Sequence, residues 1–276
     1  MGMTGEKILV ESVCQILKQL APLPTAESWD NVGLLLGRPD RTVSRLMTCL
    51  TLTPAVAHEA IVKNVQLIVT HHPVLFRATK SITSHTIEGC LLMDLIEARI
   101  AVYSPHTAFD NAEGGINQWL AESLGLNLIE PLRRFQQGVA GGSGRMGMLA
   151  EPHSKQEFLE KLGKIVGAEY LEVAWHGLDR VHRVGLACGS AADYLSDALQ
   201  AECDTFVTGE ARFHSAVECQ SRACNLVLTG HFNSERPAVT RLASVLSERL
   251  FGVDCFASEE DRNPLAIFRL PFATRS

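Results

Sequence analysis

Short apolar runs alternate with amphipathic segments along most of the chain. VQLIVT from Val65 and IAVYS from Ile100 are rich in residues that favour strands. Between them, TIEGCLLMDLIEARI has the length and apolar spacing of a helix. PAVAHEAIVKN is a further predicted helix, in which Pro54 takes a first-turn position where a missing N–H costs nothing. This alternation predicts an α/β fold built from βαβ units, with a largely parallel sheet.

The same pattern occurs twice. The stretches that begin at Val43 and at Val181 both run strand, turn, helix, strand and then Val-Thr. One helix and one strand further on, each half reaches the spacing H-x-x-x-[DE]. Because the identity between the halves is low, a chance resemblance of two ordinary βαβ units is the alternative. We predict two related α/β lobes.

A change in composition separates the two halves. RRFQQGVAGGSGRMG is rich in glycine and polar residues and predicts a loop. The next segment, SKQEFLEKLGKIVG, predicts a helix with Ser154 as N-cap and Glu157 completing a capping box. We expect a first lobe over residues 1–134, a short connecting segment over 135–178 and a second lobe over 179–276.

Imidazole and carboxylate groups follow four of the predicted strands. These groups are His71 with His72, His106 with Asp110, Glu210, and His231 with Glu235. In parallel α/β sheets functional groups gather beyond the carboxyl ends of the strands, so two facing lobes would bring these side chains into one cleft. Imidazole and carboxylate ligands without cysteine suit Zn, Mn, Fe, Ni or Co, and suit two bridged ions better than one closed structural zinc. The pattern therefore predicts a cleft with two divalent metal ions.

Each of these groups also has a purely structural interpretation. The double histidine could form a turn, and His231 could end a strand. Asp110 could cap a helix, and Glu235 could interact with a helix dipole. The metal hypothesis is favoured because all four groups follow strands at corresponding positions of the βαβ pattern.

Composition and charge narrow the possible functions. The net charge of −6 argues against a general nucleic-acid binder. No apolar run approaches the roughly 20 residues of a membrane span, and the N-terminal segment lacks the apolar region of a signal peptide. The eight cysteines are scattered without a C-x-x-C pair, which favours buried, reduced thiols. We expect a cytoplasmic protein with neither membrane nor nucleic-acid partners.

Five segments carry a resemblance to a known family. They are ESWDNVGLLLG, VTHHPVLF, SPHTAFDNAEGGIN, FVTGE and TGHFNSE. Together they resemble the NIF-three-like family, whose members are often labelled type 2 GTP cyclohydrolase I homologues or dinuclear-metal-centre hexameric proteins. The double histidine and the G-H-x-x-x-E motif are the most specific parts. The resemblance implies a two-lobed α/β fold, a two-metal site in the cleft and a toroidal homohexamer.

The resemblance also implies roles for particular residues. The implied metal ligands are His71, His72, Asp110, His231 and Glu235. Glu235 would bridge the ions, while His106 and Glu210 would lie beside the ligands or face the substrate. Asp30 and Asn31 would lie near the cleft. Larger members of the family carry an extra domain between the lobes. In this chain only the segment from Phe135 to Trp175 separates the lobes, so we expect no full inserted domain.

A metal-dependent hydrolase of an unidentified small molecule is the function we expect first. In this hypothesis Glu210 or His106 moves the proton, because a positioned carboxylate or imidazole is the usual general acid or base. Opening of GTP is a weaker hypothesis, since the sequence has no GxxxxGK[ST] phosphate loop. The competing hypothesis is a non-enzymatic metal-binding or metal-delivery protein, or a ring-shaped interaction scaffold, which would use the same ligands.

Overall fold

The computed structural model describes residues 7–135, 141–176 and 179–268. The helices are α1 (Val10–Leu20), α2 (Pro54–Val62), α3 (Ile87–Glu97), α4 (His106–Asn111), α5 (Ile116–Ser123), α6 (Lys155–Val166), α7 (Leu195–Gln200), α8 (Phe213–Ser221) and α9 (His231–Arg249). Short 3₁₀ turns span Leu23–Thr25 and Ala192–Tyr194. The strands are β1 (Gly33–Leu36), β2 (Arg45–Cys49), β3 (Leu67–Thr70), β4 (Ala101–Ser104), β5 (Leu126–Glu130), β6 (Arg133–Arg134), β7 (Gly142–Ser143), β8 (Arg145–Ser154), β9 (Glu172–Ala174), β10 (Arg180–Ala187), β11 (Thr205–Thr208), β12 (Asn225–Leu228) and β13 (Asp254–Ala257).

The first sheet has five strands in the order β1-β4-β3-β2-β13. Strands β4, β3, β2 and β13 are parallel, and β1 pairs antiparallel with β4 at one edge. All residues of β3 and β4 are buried, as expected for strands covered on both faces. The helices between these strands are the crossover connections that parallel pairing requires.

The second sheet has six strands in the order β5-β8-β10-β11-β12-β9. Only β10, β11 and β12 are parallel to one another, while the outer pairings are antiparallel. The prediction of a largely parallel sheet is therefore wrong for this half. The reason is that β8 and β9 come from the segment for which a connection was expected, and antiparallel strands need no helical crossover.

Strand pairing crosses the residue boundaries expected from the sequence. Strand β5 lies within residues 1–134 but pairs with β8 in the second sheet. Residues 135–178 contribute β8, α6 and β9 instead of a simple connection. Strand β13 lies within residues 179–276 but pairs with β2 in the first sheet. Helix α9 follows β12 of the second sheet along the chain and packs against β2 and β13 of the first, where the hydroxyl of Thr48 donates to the Val239 carbonyl at 3.0 Å.

Both halves contain the repeated βαβ unit that the sequence predicts. The elements β2-α2-β3-α3-β4 in the first half follow the same order as β10-α7-β11-α8-β12 in the second. The next helix begins at His106 in the first half and at His231 in the second. The described residues contain no large inserted domain. The α/β class and the two related units are confirmed.

One buried apolar cluster extends through both sheets. It includes Val10 in α1, Tyr103 in β4, Val184 in β10 and Leu246 in α9. A shared core of this kind fixes the strand ends of one sheet relative to those of the other, because protein interiors are close-packed. Among the described residues, no helix combines the length and apolar character that crossing a bilayer requires.

Candidate metal centre

The double histidine continues the line of β3 beyond its last strand residue. The main-chain N–H groups of His71 and His72 donate to the carbonyls of Cys49 and Leu50, each at 2.9 Å. Consecutive residues in an extended segment project to opposite sides. As a result the His71 side chain is 1% exposed, whereas that of His72 is 28% exposed.

The other three predicted ligands lie near the beginnings of two helices that follow parallel strands, and one of these helices begins with His106. His106 begins α4 with φ of +30°, and Asp110 lies four residues later. His231 begins α9 directly after Gly230, whose φ is +84°, and Glu235 lies four residues later. Residues four apart share a helix face, and this places Glu235 beside His231.

Glu235 lies at the centre of the predicted ligand set. Its Oε2 is 3.2 Å from Nε2 of His72 and 3.2 Å from Nε2 of His231. Its Oε1 is 3.9 Å from Nε2 of His71, and Oδ1 of Asp110 is 3.6 Å from that same nitrogen. The two oxygens of one carboxylate therefore face two different groups of donors.

Three groups of side chains in the described residues could each hold a metal ion. They are His71 with Asp110 and Glu235, His72 with His231 and Glu235, and His71 with His72 and His106. Within each group the donor atoms lie within 4.8 Å of one another. The structure thus brings all five predicted ligands together. It also places His106, expected beside the ligands, among the residues that could coordinate.

Several buried donor atoms in this cluster lack a hydrogen-bond partner among the described residues. They are both ring nitrogens of His71 and Oδ1 of Asp110. Buried polar atoms are normally paired, because leaving one unsatisfied costs about 1–3 kcal/mol. A divalent cation would satisfy Oδ1 of Asp110 and one ring nitrogen of His71, and the imidazole and carboxylate donors are of the type that such ions accept. The residues fit a metal site.

The ionisation of the cluster follows from burial and from the close carboxylates. Burial lowers the pKa of His71 well below its usual value, so the ring is neutral, which is the form that binds metals. Burial, and then the charge of Glu235, raise the pKa of Asp110. Burial also opposes ionisation of Glu235, but hydrogen bonds with His231 and His72 outweigh it and hold the pKa of Glu235 far below its usual range. The hydrogen bond with Glu235 raises the pKa of His231 to about 9 against the opposing effect of burial.

Three histidines of the site are held through their second ring nitrogen. The pairs are His72 Nδ1 with Thr51 Oγ1 at 2.8 Å, His106 Nδ1 with Asp30 Oδ1 at 2.8 Å, and His231 Nδ1 with Glu210 Oε1 at 2.6 Å. Such contacts fix the orientation of an imidazole and leave its Nε2 toward the ligand. Glu210 thus holds the His231 ring through this hydrogen bond. The role of Glu210 in proton transfer stays a prediction.

Sequence reasoning missed two residues that shape the site. Gly189 follows β10 with φ of +72°, and a Cβ there would lie 2.1 Å from Oε1 of Glu235. Its N–H donates to Oγ of Ser234 at 2.9 Å, and that hydroxyl donates to the His231 carbonyl at 2.7 Å. The sequence does contain a sign of Gly189, which is the CGS turn after the first strand of the second repeat. Glu235 approaches the backbone at this turn.

A cleft of about 580 Å³ opens beside the metal-binding cluster. Predicted site residues lining it are His72, His106, Asp110, His231 and Glu235. Trp29 and Phe76 line it near the first sheet, and Ala187, Cys188 and Tyr194 line it near the second. Its volume falls within the roughly 300–1,000 Å³ typical of small-molecule sites.

The fold and the site together define a two-sheet α/β protein with a candidate metal centre between its repeated units. The chain matches the model of the Duf34/NIF3 (NGG1p interacting factor 3) family over residues 8–264, and it belongs to that family. This confirms the resemblance carried by the five motif segments.

Two relatives and one solved structure illustrate the similarity. A GTP cyclohydrolase 1 type 2 homolog of Clostridium perfringens is 30% identical over 256 residues, which cover 92% of this chain and 98% of that protein. The Protein NIF3 homolog of Schizosaccharomyces pombe is 35% identical over 256 residues, covering 87% and 91% of the two chains. The crystal structure of Staphylococcus aureus protein SA1388 superposes with a TM-score of 0.85 at 22% identity, covering 95% of this chain and 100% of that one. That last similarity shows the fold.

Proposed function

We propose that this chain binds two divalent metal ions and hydrolyses a small molecule in the cleft beside them. One ion would be held by His71, Asp110 and Glu235, and the other by His72, His231 and the same glutamate. The observation that carries the proposal is the position of Glu235, whose two oxygens face the two donor groups. Buried His71 supports it as well, because its ring nitrogens have no hydrogen-bond partner among the described residues and one of them is available to a metal ion.

Divalent ions at such a site supply Lewis acidity toward a substrate oxygen, which assists hydrolysis. The protein would supply the proton transfers. His106 lines the cleft with Nδ1 fixed by Asp30, so Nε2 is the nitrogen that can exchange a proton with the substrate. Glu210 is hydrogen-bonded to Nδ1 of His231 and 54% exposed, and it would carry protons between solvent and the site.

The name of the clostridial relative makes GTP one substrate to test. We rank a broader range of small molecules above it, because the sequence contains no GxxxxGK[ST] loop to hold a triphosphate. The test is a panel of phosphoesters, amides and nucleotides, GTP included, offered to protein loaded with Mn²⁺ or Zn²⁺.

We expect turnover of at least one member of this panel, and its loss in His231→Ala. The matched control is His58→Ala, since His58 is an exposed histidine on α2 away from the cleft. Metal content of each variant is measured on the same sample. Retention of full metal and full activity by His231→Ala would contradict the ligand assignment.

Metal delivery is the second candidate function, and the exposure of one side of the site favours it. His231 is 35% exposed and its partner Glu210 is 54% exposed, so an ion held there could exchange with a partner protein. Inactivity across the whole panel, combined with tight but exchangeable metal, would support delivery over hydrolysis.

The working form that we propose is a cytoplasmic homohexamer, in line with the family resemblance. All eight cysteines are free thiols, which fits a reducing compartment. Light scattering on the purified chain tests the assembly, with six chains expected. A scaffold role would be supported if the hexamer and its partners survived loss of all five ligands.

A further inference from the structure

Three aromatic side chains meet at one end of the cleft. The ring centroids of Trp29 and Phe76 are 5.9 Å apart with planes at 78°. The His106 ring lies 6.2 Å from Trp29 and 6.1 Å from Phe76, again close to perpendicular. All three line the cleft, and we call them the aromatic corner.

The aromatic corner leaves much apolar area in contact with solvent. Trp29 is 60% exposed and Phe76 is 49% exposed. A single exposed apolar residue needs no explanation, but two large aromatic side chains in contact beside a candidate metal centre form a patch of the kind that marks a binding site. The folded chain itself gains little from this arrangement.

The residues next to Trp29 hold the aromatic corner in place. The side-chain amide of Asn31 donates to the Leu75 carbonyl at 2.7 Å, which ties the Trp29 loop to the residue before Phe76. Asp30 is hydrogen-bonded to His106 Nδ1 at 2.8 Å. A surface fixed in advance binds a ligand with a smaller loss of entropy.

The opposite side of the cleft contributes a further ring. Tyr194 lines it, and the Arg133 guanidinium lies 4.5 Å from the Tyr194 ring centroid. Arg133 is itself held by Asp197 at 2.6 Å. The cleft is thus lined by aromatic side chains from both halves of the chain as well as by residues of the metal-binding cluster.

We infer that the aromatic corner binds a planar unsaturated ring of the substrate and so directs the ring's substituent to the metal-binding cluster. Perpendicular rings offer such a ligand one face to stack on and one edge to contact, which a puckered saturated ring cannot use equally well. The volume of about 580 Å³ accommodates a small molecule. The inference rests on the proposed function for hydrolysis of the ligand, but ring binding can be measured without turnover.

The test compares planar compounds with saturated counterparts that carry the same polar groups. The pairs are uracil with 5,6-dihydrouracil, and benzamide with cyclohexanecarboxamide. Binding is followed by ¹⁹F NMR of protein labelled with 5-fluorotryptophan, with and without Zn²⁺. The chain has three tryptophans, and the Trp29 signal is assigned from its loss in Trp29→Phe. We expect the planar member of each pair to shift the Trp29 signal and to bind at least about fivefold more tightly.

Variants of the corner give the second arm of the test, with affinities measured by calorimetry. Trp29→Ala and Phe76→Ala should each weaken binding of the planar compounds by about tenfold, while Trp29→Phe should stay within about threefold of wild type. Phe251→Ala is the control, since Phe251 is 98% exposed and outside the cleft. Thermal melting of each variant checks the fold.

Equal binding of planar and saturated compounds, no binding of either planar compound, or unchanged affinity in Trp29→Ala would overturn the inference. Planar compounds that bind while the panel shows no hydrolysis would remove the proposed function and leave the inference standing. Conversely, wild type and Trp29→Ala could both hydrolyse aromatic and saturated substrates at the same rate. That result would contradict the inference and leave the proposed function standing.

Discussion

Glu235 reaches the centre of the metal-binding cluster because residue 189 has no side chain. A Cβ on Gly189 would lie 2.1 Å from Oε1 of Glu235, and the backbone there has φ of +72°. We therefore predict that Gly189→Ala displaces the Glu235 carboxylate and lowers metal content at least about tenfold at limiting metal. Elemental analysis of protein dialysed against buffered Zn²⁺ measures this.

Replacing a glycine of positive φ by alanine strains the backbone in any case. The control variant must therefore carry the same backbone strain without the contact to Glu235. Gly252 has φ of +87° and nothing within 4 Å of the position a Cβ would take. Gly252→Ala should lose about 1 kcal/mol of stability and keep its metal. Equal metal loss in both variants would show that contact with Glu235 is not the cause.

The Asp30–His106 pair predicts a variant that separates proton transfer from metal binding. Burial disfavours the Asp30 carboxylate, but hydrogen bonds with His106 and Thr107 overcome it and lower the pKa of Asp30 to about 2. Asp30→Asn removes the charge that holds the His106 ring. For a substrate from the hydrolysis panel, we expect kcat to fall about 10- to 100-fold with metal content unchanged. Loss of metal in this variant would instead identify His106 as a ligand.

Glu59 predicts a change of stability with pH that is independent of the metal site. It is 7% exposed and accepts hydrogen bonds from Lys63 at the end of α2 and from Ser258, Glu259 and Glu260 after β13. Burial acts against the charge, yet these hydrogen bonds, with that from Lys63 the strongest, lower the pKa of Glu59 to about 2. We expect Glu59→Gln to reduce the free energy of unfolding by roughly 1–3 kcal/mol at pH 7.

The sign of this pH dependence follows from the lowered pKa. The ionised Glu59 stabilises the folded chain fully above the ordinary glutamate pKa of 4.5, and that contribution disappears as the pH falls toward about 2. Urea unfolding of wild type and Glu59→Gln should therefore give free energies that differ at pH 7 and converge as the pH falls from about 4.5 to about 2. A difference that stays constant across this range would contradict the assignment.

Metal binding should stabilise the chain by mass action. An ion that binds only the folded state adds about 2.7 kcal/mol at a free concentration of 100 times its Kd. We expect Zn²⁺ or Mn²⁺ to raise the melting temperature of wild type and EDTA to reverse the change. In Glu235→Gln, which weakens both proposed donor groups, the rise should be absent. An equal rise in that variant would place the ions elsewhere.

Much of this arrangement was accessible from the sequence. The apolar runs before His71 and His231 form strands that pair in parallel with a neighbour and are largely buried, and the capping box at Ser154 begins α6 as expected. Within each half the strand-end groups could be predicted to lie together because parallel strands end at one edge of a sheet, and the repeat suggested that the two halves face each other. Pattern and spacing are local properties, and these features depend mainly on them.

Other features depend on contacts that spacing does not encode. Strand β8, with the sequence RMGMLAEPHS, lacks the β-branched residues that mark a strand, yet it pairs with both β5 and β10. The return of β13 to the first sheet depends on packing along α9. The CGS turn marks Gly189 as a turn residue but does not show its role in the site, because that role comes from the approach of Glu235, 46 positions later.

The most direct test of the central claim is the number and position of metal ions bound per chain. Protein reconstituted with Zn²⁺ would be analysed for its elemental content and crystallised for anomalous diffraction at the zinc edge. The proposal predicts about two ions per chain, one among His71, Asp110 and Glu235 and one among His72, His231 and Glu235. Fewer than one ion per chain, or ions bound elsewhere with these five side chains free, would contradict it.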